Sequence, residues 1–254
     1  MIDTHCHLTD PRLFSQLGDV LSRAKAAGIT RMITIGTDLE DARQCLELCR
    51  QHSNVRCAIG VHPNYSQNVE PAELPLLRGL QANPSVLALG EMGLDYHYDR
   101  APVARQRETF EFQLQLATEL NRPVVIHCRE ATDDCLAIMR GFPAIRALFH
   151  CFTGDRSEAL KILNAGHLLG FTGPITYKKS DELREVVKMV PEDRLVVETD
   201  APYLVPEPMR KLKTNEPALV VHTANMVATL KGKTREEIDT LTTANAERFF
   251  NWHG

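Results

Sequence analysis

Eight short apolar runs recur along the chain, each ending in a polar or glycine-containing turn and each followed by a segment of helical period. The runs are Met1–Thr4, Arg31–Ile35, Val55–Gly60, Val86–Gly90, Pro123–Ile126, Ile145–Phe149, Leu168–Phe171 and Leu195–Val197. They are rich in Val, Ile and Leu and too short for buried helices, so they read as buried strands. Between them the spacing predicts helices over 14–27, 39–51, 71–81, 102–120, 130–140, 157–165, 181–190 and 217–230, with a further helix over 234–250. Asp38 is placed to cap the second of these, Gly28 to end the first, and Thr234 with Glu237 three residues on forms a capping box. Strands alternating with helices make parallel βαβ units, and eight of them predict an α/β fold of the (β/α)₈ TIM-barrel type. An open doubly wound sheet would normally carry a glycine-rich phosphate turn after its first strand, where this chain has His5-Cys6-His7. With no linker, low-complexity tract or repeat, residues 1–254 read as one domain, a size a single barrel reaches.

A barrel gathers its chemistry at the C-terminal ends of its strands. Here those ends carry His5 and His7, then His62, Glu91, His127, His150 and Asp200. His5 and His7 are two apart, so on an extended strand both point to the barrel interior while Cys6 points away. Imidazole and carboxylate suit Zn²⁺, Mn²⁺ or iron, and a carboxylate such as Glu91 or Asp200 is able to bridge two ions. Two ions would activate a water and stabilise the attacking and leaving oxygens of a hydrolysis. Any one of these histidines is more often a surface or hydrogen-bonded core residue than a ligand. Their coincidence at strand ends, drawn from ten histidines in all, is what points to a metal ring. His52, His97, His167, His222 and His253 read as structural or solvated.

These residues sit in phrases that occur in a fixed order. Ile2-Asp3-Thr4-His5-Cys6-His7-Leu8, Ile59-Gly60-Val61-His62-Pro63 and Gly90-Glu91-Met92-Gly93-Leu94-Asp95-Tyr96 come first. Val125-Ile126-His127-Cys128-Arg129-Glu130-Ala131, His150-Cys151-Phe152-Thr153-Gly154 and Glu198-Thr199-Asp200-Ala201-Pro202-Tyr203 follow. Together they strongly resemble the TatD family of metal-dependent deoxyribonucleases, from residue 2 to beyond residue 215. The resemblance implies a metallohydrolase barrel that cleaves DNA phosphodiesters, often from a 3′ end, on single strands or ends. It implies metal ligation by His5, His7, Glu91, His127, His150 and Asp200, with His62 beside the metals against a substrate phosphate. Two divalent ions (Mg²⁺, Mn²⁺ or Zn²⁺) are the expected cofactors, with Glu91 bridging and Asp200 both ligand and general base. Where the family commonly reads His-Ser-Arg-Glu this chain has Cys128, which leaves the ligand position intact. Thr214 stands before Asn215 where the family usually has arginine, so the phosphate contact the resemblance implies there does not carry over, although basic residues survive nearby at Arg210, Lys211 and Lys213.

The net charge of −4 excludes a general polyanion binder, so DNA would be held weakly, without sequence preference, by a local basic rim. Arg129, Lys178, Lys179, Arg210, Lys211 and Lys213 fall in strand-end loops, and Asn215 in the loop after them. Arg129, Lys178, Arg210 and Asn215, with His62, are the expected substrate contacts, and Tyr65, Tyr96, Phe152 or Tyr203 the expected stacking surfaces. The same barrel and ligands would serve amide, ester or lactone hydrolysis, the principal alternative; a metal-binding scaffold without turnover is the other. Seven scattered cysteines, an odd number, suggest free thiols in a reducing compartment. Cys6, Cys128 and Cys151 read as small buried hydrophobes rather than ligands. The start MIDTHCHLTD has neither basic nor apolar signal regions, and no run is long enough to span a membrane. The expectation is a cytoplasmic monomer or weak oligomer.

Overall fold

A computed structural model of the chain describes residues Met1–Trp252; His253 lies outside the described residues. The eight runs are eight strands: β1 (Ile2–Cys6), β2 (Arg31–Gly36), β3 (Val55–Ile59), β4 (Val86–Asp95), β5 (Val124–Arg129), β6 (Ala147–Phe149), β7 (Leu168–Phe171) and β8 (Leu195–Val197). They form one sheet in sequence order. Past its last residue the chain after β8 returns beside β1, where Cys6 bridges Ala201 in parallel and the Asp200 N–H donates to the His5 carbonyl at 2.9 Å. Sequential parallel strands with helices between them, the last beside the first, make a (β/α)₈ barrel.

By packing, the chain divides into two compact units, residues 1–34 with 151–254, and residues 35–150. The first has a core of Ile2, Ile33, Leu169, Phe171, Leu195 and Val197, all fully or almost fully buried. Its closing helix, Arg235–Phe250, opens on the capping box of Thr234 and Glu237. That helix is tied down by Asn245, which donates to the Glu192 and Leu195 carbonyls, and by the ion pair of Glu247 with Arg31. The second unit packs Ile35, Ile59, Leu89, Phe110, Leu114, Ile126 and Phe149. Gln113 closes its loop after β3, accepting from the Val61 N–H at 2.8 Å and donating to the Val61 carbonyl at 3.0 Å.

The main departure from the periodic reading is β4, which continues five residues beyond Gly90 to Asp95. Its pairing with β5 shifts between Leu89 and Met92, a bulge of one extra residue on β4. Gly90 and Gly93 carry φ of 131° and 137°, a region side-chain-bearing residues rarely adopt. A Cβ would stand 2.4 Å from the Val125 carbonyl at Gly90 and 2.0 Å from the His127 carbonyl at Gly93. The two glycines therefore continue the strand where the sequence reading ends it, and the bulge they permit re-aims Glu91. Two helices begin later than their periodicity suggests. The third inter-strand helix region reduces to Leu76–Gln81 after Pro75, and the helix after β5 starts at Thr132 because Glu130 has φ of 55°. Among the described residues no helix is long and apolar enough to cross a membrane.

Candidate metal centre

Each unit brings a cluster of the expected residues together. In the first unit β1 delivers His5, fully buried, and the turn after it delivers His7; Asp200 follows β8. Asp200 Oδ1 stands 3.3 Å from His7 Nε2 and 3.6 Å from His5 Nε2, and one donor atom from each of the three lies within 4.8 Å of the others. Asp200 has φ of 54°, a left-handed conformation that aspartate tolerates better than most residues. Its backbone is held on both sides, its N–H by His5 and its carbonyl by the Tyr203 N–H at 2.9 Å.

Two buried acids below these residues were not among the expected site residues. Asp3 accepts the Thr199 N–H at 2.9 Å and its hydroxyl at 2.6 Å, and the His5 N–H at 3.3 Å. Burial raises the Asp3 carboxyl to about 7, although those hydrogen bonds pull the other way. Glu198 accepts from the Thr4 hydroxyl at 3.2 Å and from the Cys151 N–H. Gly170 leaves room for it, since a Cβ there would stand 2.6–2.8 Å from the Glu198 carboxylate. Both acids join the end of β8 to its neighbours and so fix where Asp200 and His5 sit. Their positions inside the recurrent phrases were the signal that could have found them.

In the second unit the hub is Glu91, almost fully buried on the β4 bulge. Its Oε1 is 2.7 Å from His150 Nε2, 2.8 Å from His127 Nδ1 and 3.4 Å from His62 Nε2. The three imidazoles hold its carboxyl well below the ordinary range, outweighing a burial that by itself would raise it. His127 turns Nδ1 toward Glu91 and places Nε2 2.9 Å from Asp95 Oδ2, a third buried acid outside the expected site residues. Burial favours neutral His127, but the Asp95 and Glu91 carboxylates overcome it and raise its pKa to about 10. A carboxylate on the far nitrogen of a histidine is the support that metal-ligating imidazoles require. It leaves Nδ1, which faces Glu91, as the atom a metal would take in exchange for a proton.

His62 is arranged differently. Its Nδ1 accepts the Asn64 N–H at 3.0 Å, so in the neutral ring, the form burial favours, the proton sits on Nε2. That Nε2 faces His127 and Glu91 at 3.2 and 3.4 Å. A protonated nitrogen is a donor and not a ligand, so in this form His62 offers a hydrogen bond to its neighbours. The donor sets in both units are imidazole and carboxylate, which fits Zn²⁺, Mn²⁺ or iron.

The expected substrate contacts divide. Lys178, Lys179, Arg210, Lys211, Lys213 and Arg129 are exposed, with Arg210 lying 4.1 Å from the Tyr177 ring centroid. Asn215 is fully buried and donates to the Thr199 and Tyr203 carbonyls at 2.9 and 2.6 Å. With both amide hydrogens engaged there, it holds the Asp200 loop in place rather than reaching for substrate. Of the expected stacking rings, Phe152 is buried and the Tyr96 hydroxyl donates to Asp134 at 2.7 Å, whereas Tyr203 is exposed under the Arg12 guanidinium. The Cys6 thiol is buried against the Ile33 carbonyl and lies outside the metal-type clusters.

The family pattern described as TatD related DNase matches residues 2–251. An uncharacterized metal-dependent hydrolase, YabD, of Bacillus subtilis (strain 168) is 40% identical over 252 residues, covering 98% of each chain. A protein named 3′-5′ ssDNA/RNA exonuclease TatD from Erwinia tasmaniensis is 37% identical over 258 residues, covering 99% of this chain and all of that one. Among solved structures, YJJV, a TatD homolog from Escherichia coli k12, superposes with a TM-score of 0.94 at 27% identity, over 100% of this chain and 98% of that one. The chain is therefore an enzyme of the metal-dependent hydrolase and nuclease type, and it belongs to the TatD-related DNase family.

Proposed function

We propose that this enzyme is a divalent-metal-dependent deoxyribonuclease that hydrolyses DNA phosphodiester bonds in the 3′-to-5′ direction, on single strands or ends. The observation that carries the reading is Glu91, a buried carboxylate met on one oxygen by three imidazoles, with the family pattern running from residue 2 to 251 around it. The relative named as a 3′-5′ ssDNA/RNA exonuclease supports the substrate and the polarity. Two ions are proposed, Mg²⁺, Mn²⁺ or Zn²⁺, held by His5, His7 and Asp200 and by Glu91, His127 and His150. When bound, they supply Lewis acidity toward a phosphoryl oxygen and lower the pKa of water. Asp200 orients the attacking water and takes its proton on a carboxylate oxygen. Asp95 keeps the His127 proton on Nε2. His62 donates its Nε2–H to a non-bridging phosphate oxygen, adding to the charge stabilisation. The exposed cations Lys178, Lys179, Arg210, Lys211 and Lys213 contact the DNA backbone. Residues 1–254 act as one catalytic domain, in the cytoplasm, a location the free cysteines support.

The test is to strip the protein of metal, restore Mg²⁺, Mn²⁺ or Zn²⁺ separately and follow a single-stranded oligonucleotide labelled at its 5′ end. The expected result is a metal-dependent ladder shortening from the 3′ end, reduced about 10²–10⁴-fold in Asp200→Asn. Metal-loaded protein that leaves DNA intact but opens esters or lactones would replace the nuclease with a carbonyl hydrolase. Near wild-type turnover in Asp200→Asn would remove the base assignment alone.

A further inference from the structure

The stretch following β4 carries a group that the cleavage chemistry does not use. Tyr98 is 42% exposed, and two guanidinium groups lie over its ring, Arg100 at 5.2 Å and Arg129 at 5.1 Å from the centroid. Both arginines are exposed, and among the described residues neither is paired with a carboxylate. The acid beside Arg129 in sequence, Glu130, is engaged with His97 Nδ1 at 2.6 Å. Two exposed guanidiniums over one exposed ring leave N–H donors and an aromatic face open to a ligand, with Asp99 the acid between Tyr98 and Arg100 in the chain. A guanidinium over a ring also keeps its in-plane N–H donors, and these match phosphate oxygens.

This group is tied to the metal-type cluster of its own unit. Asp95 Oδ1 accepts the N–H groups of His97 and Tyr98, each at 3.0 Å, and Oδ2 of the same carboxylate holds His127 Nε2. Three residues of chain reach at most about 11 Å, so Tyr98 is held within that distance of Asp95 along the backbone. Arg129 ends β5 two residues beyond His127, opposite Asp95 in the ladder. One buried carboxylate thus orients the histidine that faces Glu91 and the turn that presents the ring.

We propose that Tyr98, Arg100 and Arg129 form a subsite for one nucleotide of a single-stranded polynucleotide, apart from the bond being cleaved. The tyrosine and guanidinium planes stack the base, and the guanidinium N–H groups hold its phosphate. The inference rests on the nuclease reading for its ligand and adds which nucleotide contacts this chain makes. It also accounts for grip on a polyanion by residues lying outside the lysine-rich loops.

The test uses the metal-free protein, so that binding is read without cleavage. A fluorescent single-stranded oligonucleotide is titrated by anisotropy at several salt concentrations, alongside an abasic strand of the same length. Arg100→Gln with Arg129→Gln is expected to flatten the slope of log affinity against log salt by about 1.4, two contacts at ~0.7 each. Tyr98→Ala is expected to keep that slope, weaken the natural strand about tenfold and leave the abasic strand unchanged. Wild-type affinity and slope in both variants would overturn the subsite, as would a wild-type protein that binds neither strand. Cleavage by the metal-loaded wild type separates this from the parent reading. Cleavage with unaffected variants ends the subsite and keeps the nuclease; variant-sensitive binding without cleavage keeps the subsite and ends the nuclease.

Discussion

Replacing Asp95 with asparagine tests how the second-unit cluster is built, because the change is isosteric and removes only a charge and an acceptor. Asp95 is 1% exposed; Oδ1 accepts two backbone N–H groups, and Oδ2 meets His127 Nε2 at 2.9 Å and the Asn64 amide nitrogen at 3.1 Å. Asparagine retains Oδ1 for the backbone, so the loop 96–98 keeps its shape. Its amide nitrogen then occupies the Oδ2 position and presents N–H to His127. The imidazole, protonated on both nitrogens between its two carboxylates, relieves that clash by giving up the Nε2 proton and keeping the one on Nδ1, the atom that faces Glu91 and would hold a metal. Supports of this kind are worth 10–100-fold in metal affinity, or about 1.4–2.7 kcal/mol. Calorimetric titration of Zn²⁺ or Mn²⁺ into metal-free protein should show that loss for Asp95→Asn, and the thermal midpoint of the metal-free protein should fall as well, because the pair with His127 and the acceptor for Asn64 go with the charge. Affinity within twofold of wild type would refute the tautomer argument.

Gly93→Ala should destabilise the fold by at least ~3 kcal/mol, read as a denaturant midpoint shift, because φ of 137° and a Cβ 2.0 Å from the His127 carbonyl leave no accommodating move. His167 is buried and its pKa is depressed by that burial, with Arg194 adding to it, from 6.5 to about 4. The neutral ring is therefore favoured on folding, and the unfolded chain takes up the proton first as pH falls. Stability attributable to His167 is intact above pH 6.5 and lost between 6.5 and about 4, about 2 kcal/mol of it by pH 5. Urea melts at pH 7 and pH 5 should show that much less pH sensitivity in His167→Gln than in wild type. Asn215→Ala leaves the Thr199 and Tyr203 carbonyls without their donor, so it should lower stability by ~1–3 kcal/mol; turnover should fall with it if the Asp200 loop shifts.

The residues that sequence reasoning placed best are those whose side-chain chemistry announces itself at the end of an apolar run. His5, His7 and Asp200 converge, as do His62, Glu91, His127 and His150. Period and residue type carry that information without knowledge of the backbone. The course of β4 was less legible, because Gly90 and Gly93 signal a turn when read locally and a bulged strand only once Val125 and His127 lie against them. Asp3, Asp95 and Glu198 are not legible in the sequence for a related reason. A buried acid with no metal role looks in sequence like any loop carboxylate, and what distinguishes it is the partner across the fold: Thr199, His127 or Thr4. Asn215 shows the opposite error. A polar side chain in a loop near cations reads as a substrate contact until its amide is found under two carbonyls.

That distinction also bears on how a chain of net charge −4 handles a polyanion. The charge count gives every carboxylate equal weight, yet Asp3, Glu91, Asp95 and Glu198 are buried and Asp200 faces two imidazoles. Their fields are taken up locally by histidines, hydroxyls and backbone N–H groups, and a bound divalent ion would neutralise them further. Leaving these five out of the 33 acids sets 29 lysines and arginines against 28 carboxylates. The cations of loops 178–179 and 210–213 are exposed, so they act on a strand at short range while the global field is near neutral. Association should then be slow and weakly steered at a distance, and salt should act mainly on dissociation. A stopped-flow series in KCl that found a steep salt dependence in the association rate instead would mean a long-range positive field that these residues do not provide.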